Sequence, residues 1–434
     1  MNKHAVCLVA ACAAGFSCAL WAENWPGAGI YTASDPADFV NAQDASIPFV
    51  MGEGVLDWTG GDATVTRDLS FWAPRYRANA FKVENANATL TLAGKFTETN
   101  GCFIKTGPGT LALTYPGWQQ LGKGPQDASK LSTDVKWDET TGACTNGGFA
   151  YVTVDEGMLV LGAPGATNVL TSMSFIGNRT QKYAALDITN GVVQQPNNWF
   201  CIARGTGQTS NDARAEVFVR KDAVLDAASL NVGYANGMSS AFPRASLVVD
   251  GGIVTSYSQI YTLESGSGEA RVVVTNGGTF VNDNWNGMAA GWQMKNGSGG
   301  TATVDISASS TGSAYYVSLN KNGFLNVRGQ SRLEFDRTMP NGVNNGRGRV
   351  AFDDSTLGSR MAGIDPLWFY GYGTNCFFVG PRGMTFDVQE GNDAALYPPV
   401  CVDGSTARAN AVNASRASAT LRARGPNLSG ASVA

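Results

Sequence analysis

Ala245–Val254 reads ASLVVDGGIV, and Ala270–Phe280 reads ARVVVTNGGTF. In both, an Ala is followed by apolar residues at every second position, then a glycine-rich turn, then more apolar residues. Period-two alternation in β-branched residues specifies strand. The Asp-Gly-Gly and Asn-Gly-Gly steps supply the positive backbone angles of a tight turn. The same unit recurs as AALDITNGVV from Ala184, AEVFVRKDAV from Ala215 and ATVDISASSTG from Ala302, with anchoring alanines 31, 30, 25 and 32 residues apart. A further apolar patch follows most units: WFCIARG, SLNVGYANG, QIYTLESG and YYVSLNKNG.

A unit of this size with two or three short strands cannot bury a core by itself. Stacked units can, because each coil covers the apolar face of the one below. The reading is therefore an all-β, single parallel β-helix (β-solenoid), with about a dozen coils in a rod roughly 60 Å long at a strand spacing of ~4.8 Å. Its divisions are a signal peptide at 1–22, an irregular N-terminal cap and first coils at 23–87, β-helix repeats at 88–400, and a disordered tail at 401–434. The tail lacks large apolar groups and carries four Arg against one Asp, whereas 23–400 holds 26 basic and 34 acidic residues.

Composition fits this reading. Of 434 residues, 53 are Gly and only 15% are charged, with a net charge of −4. A mildly acidic chain with no basic run carries no electrostatic footprint for nucleic acid. Met1–His4 is a short basic start, and Ala5–Ala22 is an apolar run of small residues before Glu23-Asn24-Trp25-Pro26. That is the layout of a cleaved secretory leader, which leaves no transmembrane span in the mature chain and places the protein at the cell surface, outside the cell or in the periplasm. The one histidine, His4, leaves with the leader. Ser-His-Asp and Cys-His catalysis, HExxH sites and His-ligated metals are then excluded. Cys102, Cys144, Cys201, Cys376 and Cys401 remain, scattered and without a C-x-x-C. They read as small buried apolar side chains rather than as a disulfide framework or zinc site.

Lys105–Thr114 reads KTGPGTLALT, and Val152–Gly162 reads VTVDEGMLVLG. The former resembles the autotransporter-associated β-strand repeat of bacterial passenger domains, and the latter is similar to that repeat's companion half. Gly107, Gly109 and Gly157 match its turn positions; Leu111, Leu113, Leu159 and Leu161 match its alternating apolar ones. About 37 residues, Tyr115–Tyr151, separate the two segments, more than the family's usual short loop. The resemblance implies a right-handed parallel β-helix acting as a secreted or surface-displayed stalk. The C-terminal membrane barrel usual in that family has no counterpart in this sequence.

On such a scaffold without histidine, the remaining enzyme chemistries are carboxylate glycosidases and Lys/Arg-dependent lyases. Asp353-Asp354, Asp283 and Asp336-Arg337 read as turn carboxylates. Arg271, Lys295, Lys321, Arg328 and Arg332 read as solvent-facing strand residues. Trp199 and Trp285 lie 15 residues after their anchoring alanines, Tyr315 lies 13 and Tyr257 lies 12. An aromatic ladder on one face would stack sugar rings, while the same rings turned inward would be core. The expected function is an exported structural or adhesin-like stalk without catalytic activity or cofactor, whose partners are surface glycans or envelope components. The alternatives are a carbohydrate-binding or polysaccharide-degrading module on the same scaffold, and a truncated fragment of a longer passenger.

Overall fold

The computed structural model describes residues 29–39, 49–51, 54–71, 78–98, 102–122, 152–171, 173–178, 182–205, 214–235, 244–264, 268–283, 292–294, 300–319, 322–338, 349–358, 360, 367–369, 377–387, 393–396, 400–402, 413–414 and 420–423. The leader, Cys144, Trp285, Lys295 and Lys321 lie outside them. Among the described residues all strand pairing is parallel and runs from each coil to the next. No helix among the described residues is long and apolar enough to cross a membrane.

Between the end coils, each coil of the described residues contributes three strands, forming three faces. Face A runs upward through Gly29–Ala33, Gly54–Trp58, Ala78–Val83, Cys102–Thr106, Val152–Val154 and Ser174–Asn178. Face B holds the repeat's anchoring alanines, and face C follows the glycine-rich turn. The repeat recognised in the sequence is thus one complete coil, begun at face B. Among the described residues face B stacks thirteen rungs, from Ala63–Val65 to Val400–Val402. At ~4.8 Å per rung that is about 60 Å of axis.

The alternation read from the sequence sets what faces inward. Ala184, Ala215, Ala245, Ala270 and Ala302 stand in one column in consecutive rungs. Two positions on, Leu90, Leu111, Leu159, Leu186, Val217, Leu247, Val272, Val304 and Leu325 form another column, each fully buried. In-register stacking puts like on like, so a branched aliphatic in one coil meets a branched aliphatic in the next. The first coils are filled differently: Phe71, Phe81, Phe96 and Phe103 pack ring to ring at 4.7–5.9 Å. Trp58 and Phe39 lie 6.0 Å apart nearer the N-terminus. Coil stacking therefore begins within 23–87, with aromatic filling where later coils use aliphatic columns.

Polar residues enter the interior as a short ladder. Gln119 donates from Nε2 to Asn168 Oδ1 at 2.6 Å, one coil above it. Parallel pairing also occurs inside 401–434, where Asn413–Ala414 and Thr420–Ala423 align with Thr385–Phe386 and Asp393–Leu396. Cys401 and Val402 belong to the last rung of face B, and the rest of that stretch lies outside the described residues.

Candidate functional site

The KTGPGTLALT and VTVDEGMLVLG segments occupy the same corner, between faces A and B, in successive coils. Lys105 is level with Val154, Leu111 with Leu159, and Leu113 with Leu161. They are equivalent turns of two coils rather than two halves of one unit. The residues between them include the remainder of a coil, among them the face C strand Trp118–Leu121. Gly107 and Gly157 both have left-handed backbones, with φ of +73° and +72°. A Cβ on Gly157 would lie 2.4 Å from the Gly107 carbonyl oxygen directly below. The motif's glycines are therefore fixed by backbone angle and by the closeness of the coils. Gly109 is equally confined, its Cβ position 2.3 Å from the Asn85 carbonyl oxygen.

Lys105, also in that motif, points inward where neighbouring coils place Phe81 and Val154. Its ammonium Nζ donates to the carbonyls of Thr106 and Gly107 at 2.7 Å, and to that of Glu156 at 2.9 Å. Burial pushes its pKa down to about 7, against the opposing pull of Glu156 and Asp155.

On the outside of face B, charges pair across rungs. Arg220 bridges Asp187 at 2.9 Å and Asp250 at 3.7 Å, in the coils below and above. Arg271 reaches Asp305 at 2.9 Å, and Asn326 in the next coil donates to the same carboxylate. Asp353 and Asp354 sit at the corner where Asp354 turns left-handed, and Arg382 engages both, at 2.6 and 3.9 Å. That pairing holds the Asp353 carboxyl below the usual carboxylate range. On face C, Arg332 joins Glu334 at 2.5 Å and Asp387 at 2.9 Å. The strand charges that raised the question of catalysis mostly serve to tie coil to coil.

The aromatic residues gather elsewhere, at the corner between faces C and A. Trp199 is half-buried at that corner and stacks on Tyr261, centroids 5.4 Å apart and planes 19° from parallel. Tyr257 is 51% exposed. Its hydroxyl donates to Asp226, which also accepts from Thr255; burial raises the Asp226 pKa in spite of both hydrogen bonds. Tyr315 is half-buried at the same corner, two rungs beyond Tyr257. Three of the four aromatics expected to form a ladder therefore share one corner; Trp285 lies outside the described residues. The choice between core and surface resolves differently for each ring, with Tyr257 outward and Trp199 leaning on a neighbour.

Asp283, read from the sequence as a turn carboxylate, belongs to this corner too. Asp226, Tyr261 and Arg360 complete it and were not singled out from the sequence. Asp226 lies 11 residues after Ala215, close to the offset of the aromatics, so counting from the anchors would have found it. Arg360 could not be found that way. It comes from a higher coil and reaches back to Asp283 at 2.6 Å and the Asn282 carbonyl at 2.6 Å. Asp226 and Asp283 stand two rungs apart along one surface, about 10 Å of axis, rather than facing each other across a cleft. Among the described residues no three metal-type side chains come together. Cys102 and Cys201 are both buried on the outer side of face A and stand three rungs apart, ~14 Å, too far to bridge each other.

No family model, curated protein or solved structure matches this chain. The class defined by the fold is the parallel β-solenoid.

Proposed function

We propose that this protein is an exported, non-catalytic stalk of a bacterial envelope that meets glycans or other envelope components along its length. The observation that carries the reading is face B, which stacks thirteen rungs among the described residues and is tied between coils by charge pairs such as Arg220 with Asp187 and Asp250. A rod built this way resists bending and exposes backbone edges only at its ends, as a spacer requires. The leader-like first 22 residues support export, and the resemblance of Lys105–Thr114 to the passenger-domain repeat supports surface display. The test is cell fractionation with intact mass. A mature chain lacking residues 1–22, found in periplasm, outer membrane or medium, is the expected result. A full-length chain in the cytoplasm would overturn the proposal.

A further inference from the structure

At the corner between faces C and A, five successive coils place Trp199, Asp226, Tyr257, Asp283 and Tyr315 on the outside of the rod. Counted up the axis, aromatic and carboxylate alternate; Tyr257, Asp283 and Tyr315 continue one register, whereas Asp226 is level with Thr255, two residues before Tyr257, and Trp199 is level with Ser229. Strands run across the axis, so neighbouring rungs are ~4.8 Å apart along it, and each kind of side chain repeats every ~10 Å. The rung spacing is close to the length of one pyranose unit in an extended chain. The two-rung repeat is close to that of a β-1,4-linked chain, which turns the same ring face outward at every other sugar. Flat aromatic groups stack on such faces at small entropic cost. Carboxylate oxygens between them accept from sugar hydroxyls: each has several lone-pair sites, and among the described residues only Tyr257 and Thr255 already donate to Asp226. Arg360 neutralises Asp283, whereas among the described residues no cation pairs with Asp226. That charge disfavours uronate chains.

We propose that this corner binds an extended, neutral, β-1,4-linked hexopyranose chain lying parallel to the solenoid axis. The inference rests on the stalk reading for its setting and names the glycan class met there. Its geometry differs from a groove across the coils, because the ligand runs with the rungs' stacking direction and contact grows with chain length.

The test is calorimetric titration of the purified full chain with cellohexaose. Binding is expected, at least tenfold tighter than cellobiose and than the curved α-linked maltohexaose. Tyr257→Ala is expected to weaken it tenfold or more while the protein still unfolds cooperatively, because the ring is half exposed and its loss costs chiefly the hydrogen bond to Asp226. Tyr257→Phe keeps the ring and should stay within about threefold of the parent, which separates stacking from the hydrogen bond to Asp226. No binding, equal affinity for cellobiose or maltohexaose, or an unaffected Tyr257→Ala variant would overturn the inference. An exported chain that fails to bind sinks this inference alone. A chain retained in the cytoplasm sinks the stalk reading whatever it binds.

Discussion

Lys105 of one coil donates a 2.9 Å hydrogen bond to the carbonyl of Glu156 in the coil above, from a position that neighbouring coils fill with Phe81 and Val154. With the Thr106 and Gly107 carbonyls as its other acceptors, the ammonium ties together three peptides at the corner where Gly107 and Gly157 turn left-handed. An inward lysine is tolerable only because every proton on it has an acceptor.

Stability should therefore depend on pH through Lys105. Its pKa is about 7 in the fold, against ~10.4 for an unfolded lysine. Between those values the unfolded chain holds a proton that the folded chain has released, so stability rises with pH across that window and is flat below it. In Lys105→Met this contribution is absent. Melting curves of parent and variant from pH 6 to 10 should show the parent gaining on the variant above pH 7, by up to about 1.4 kcal/mol per pH unit. A gap that stays constant with pH would contradict this.

Val272 is fully buried between Leu247 below and Val304 above. Val272→Asp would place an unpaired charge between coils, and a cost above ~4 kcal/mol is expected. Denaturant titration followed by circular dichroism should show loss of the cooperative transition. A variant that unfolds like its parent would put this side chain on the outer surface.

Two glycines with similar backbone angles separate conformation from crowding. Gly277 has φ of +78° and nothing near its Cβ position, whereas the Cβ of Gly157 would strike the Gly107 carbonyl at 2.4 Å. Gly277→Ala should cost about 1 kcal/mol from the backbone alone. Gly157→Ala should cost at least ~2 kcal/mol more, because the coils must part to admit the methyl group. Equal costs for the two would show that the coils do not meet this closely at Gly157.

Much of this architecture is legible in the sequence because a solenoid is local twice over. Alternation within Ala245–Asp250 fixes which side chains turn inward, and recurrence at Ala270 and Ala302 fixes what stacks on them. The passenger-like segments show the limit of that logic. Their internal pattern is plain, but only the pairing of Leu111 with Leu159 shows that they are one corner repeated rather than halves of a unit. The corner aromatics were traceable by counting from the anchoring alanines, since Tyr257 and Tyr315 hold nearly the same offset. Whether a ring faced outward was not, because corner residues lie outside the strict alternation of a strand. Arg360 meeting Asp283 across 77 residues and several coils leaves no periodic trace at all.

The central claim is that chain segments far apart in sequence stand in one column, one rung per coil. Thr110, Met158, Ser246 and Thr303 are partly exposed positions on a single outward column of face B, with Met158 one rung, Ser246 four and Thr303 six rungs above Thr110. Pulsed electron spin resonance between labels at 110 and 246, and at 110 and 303, measures this column directly. The distance to 303 should exceed the distance to 246 by about 10 Å, the height of two rungs. Distances that are equal, or that differ by much more than this, would contradict the stacked solenoid.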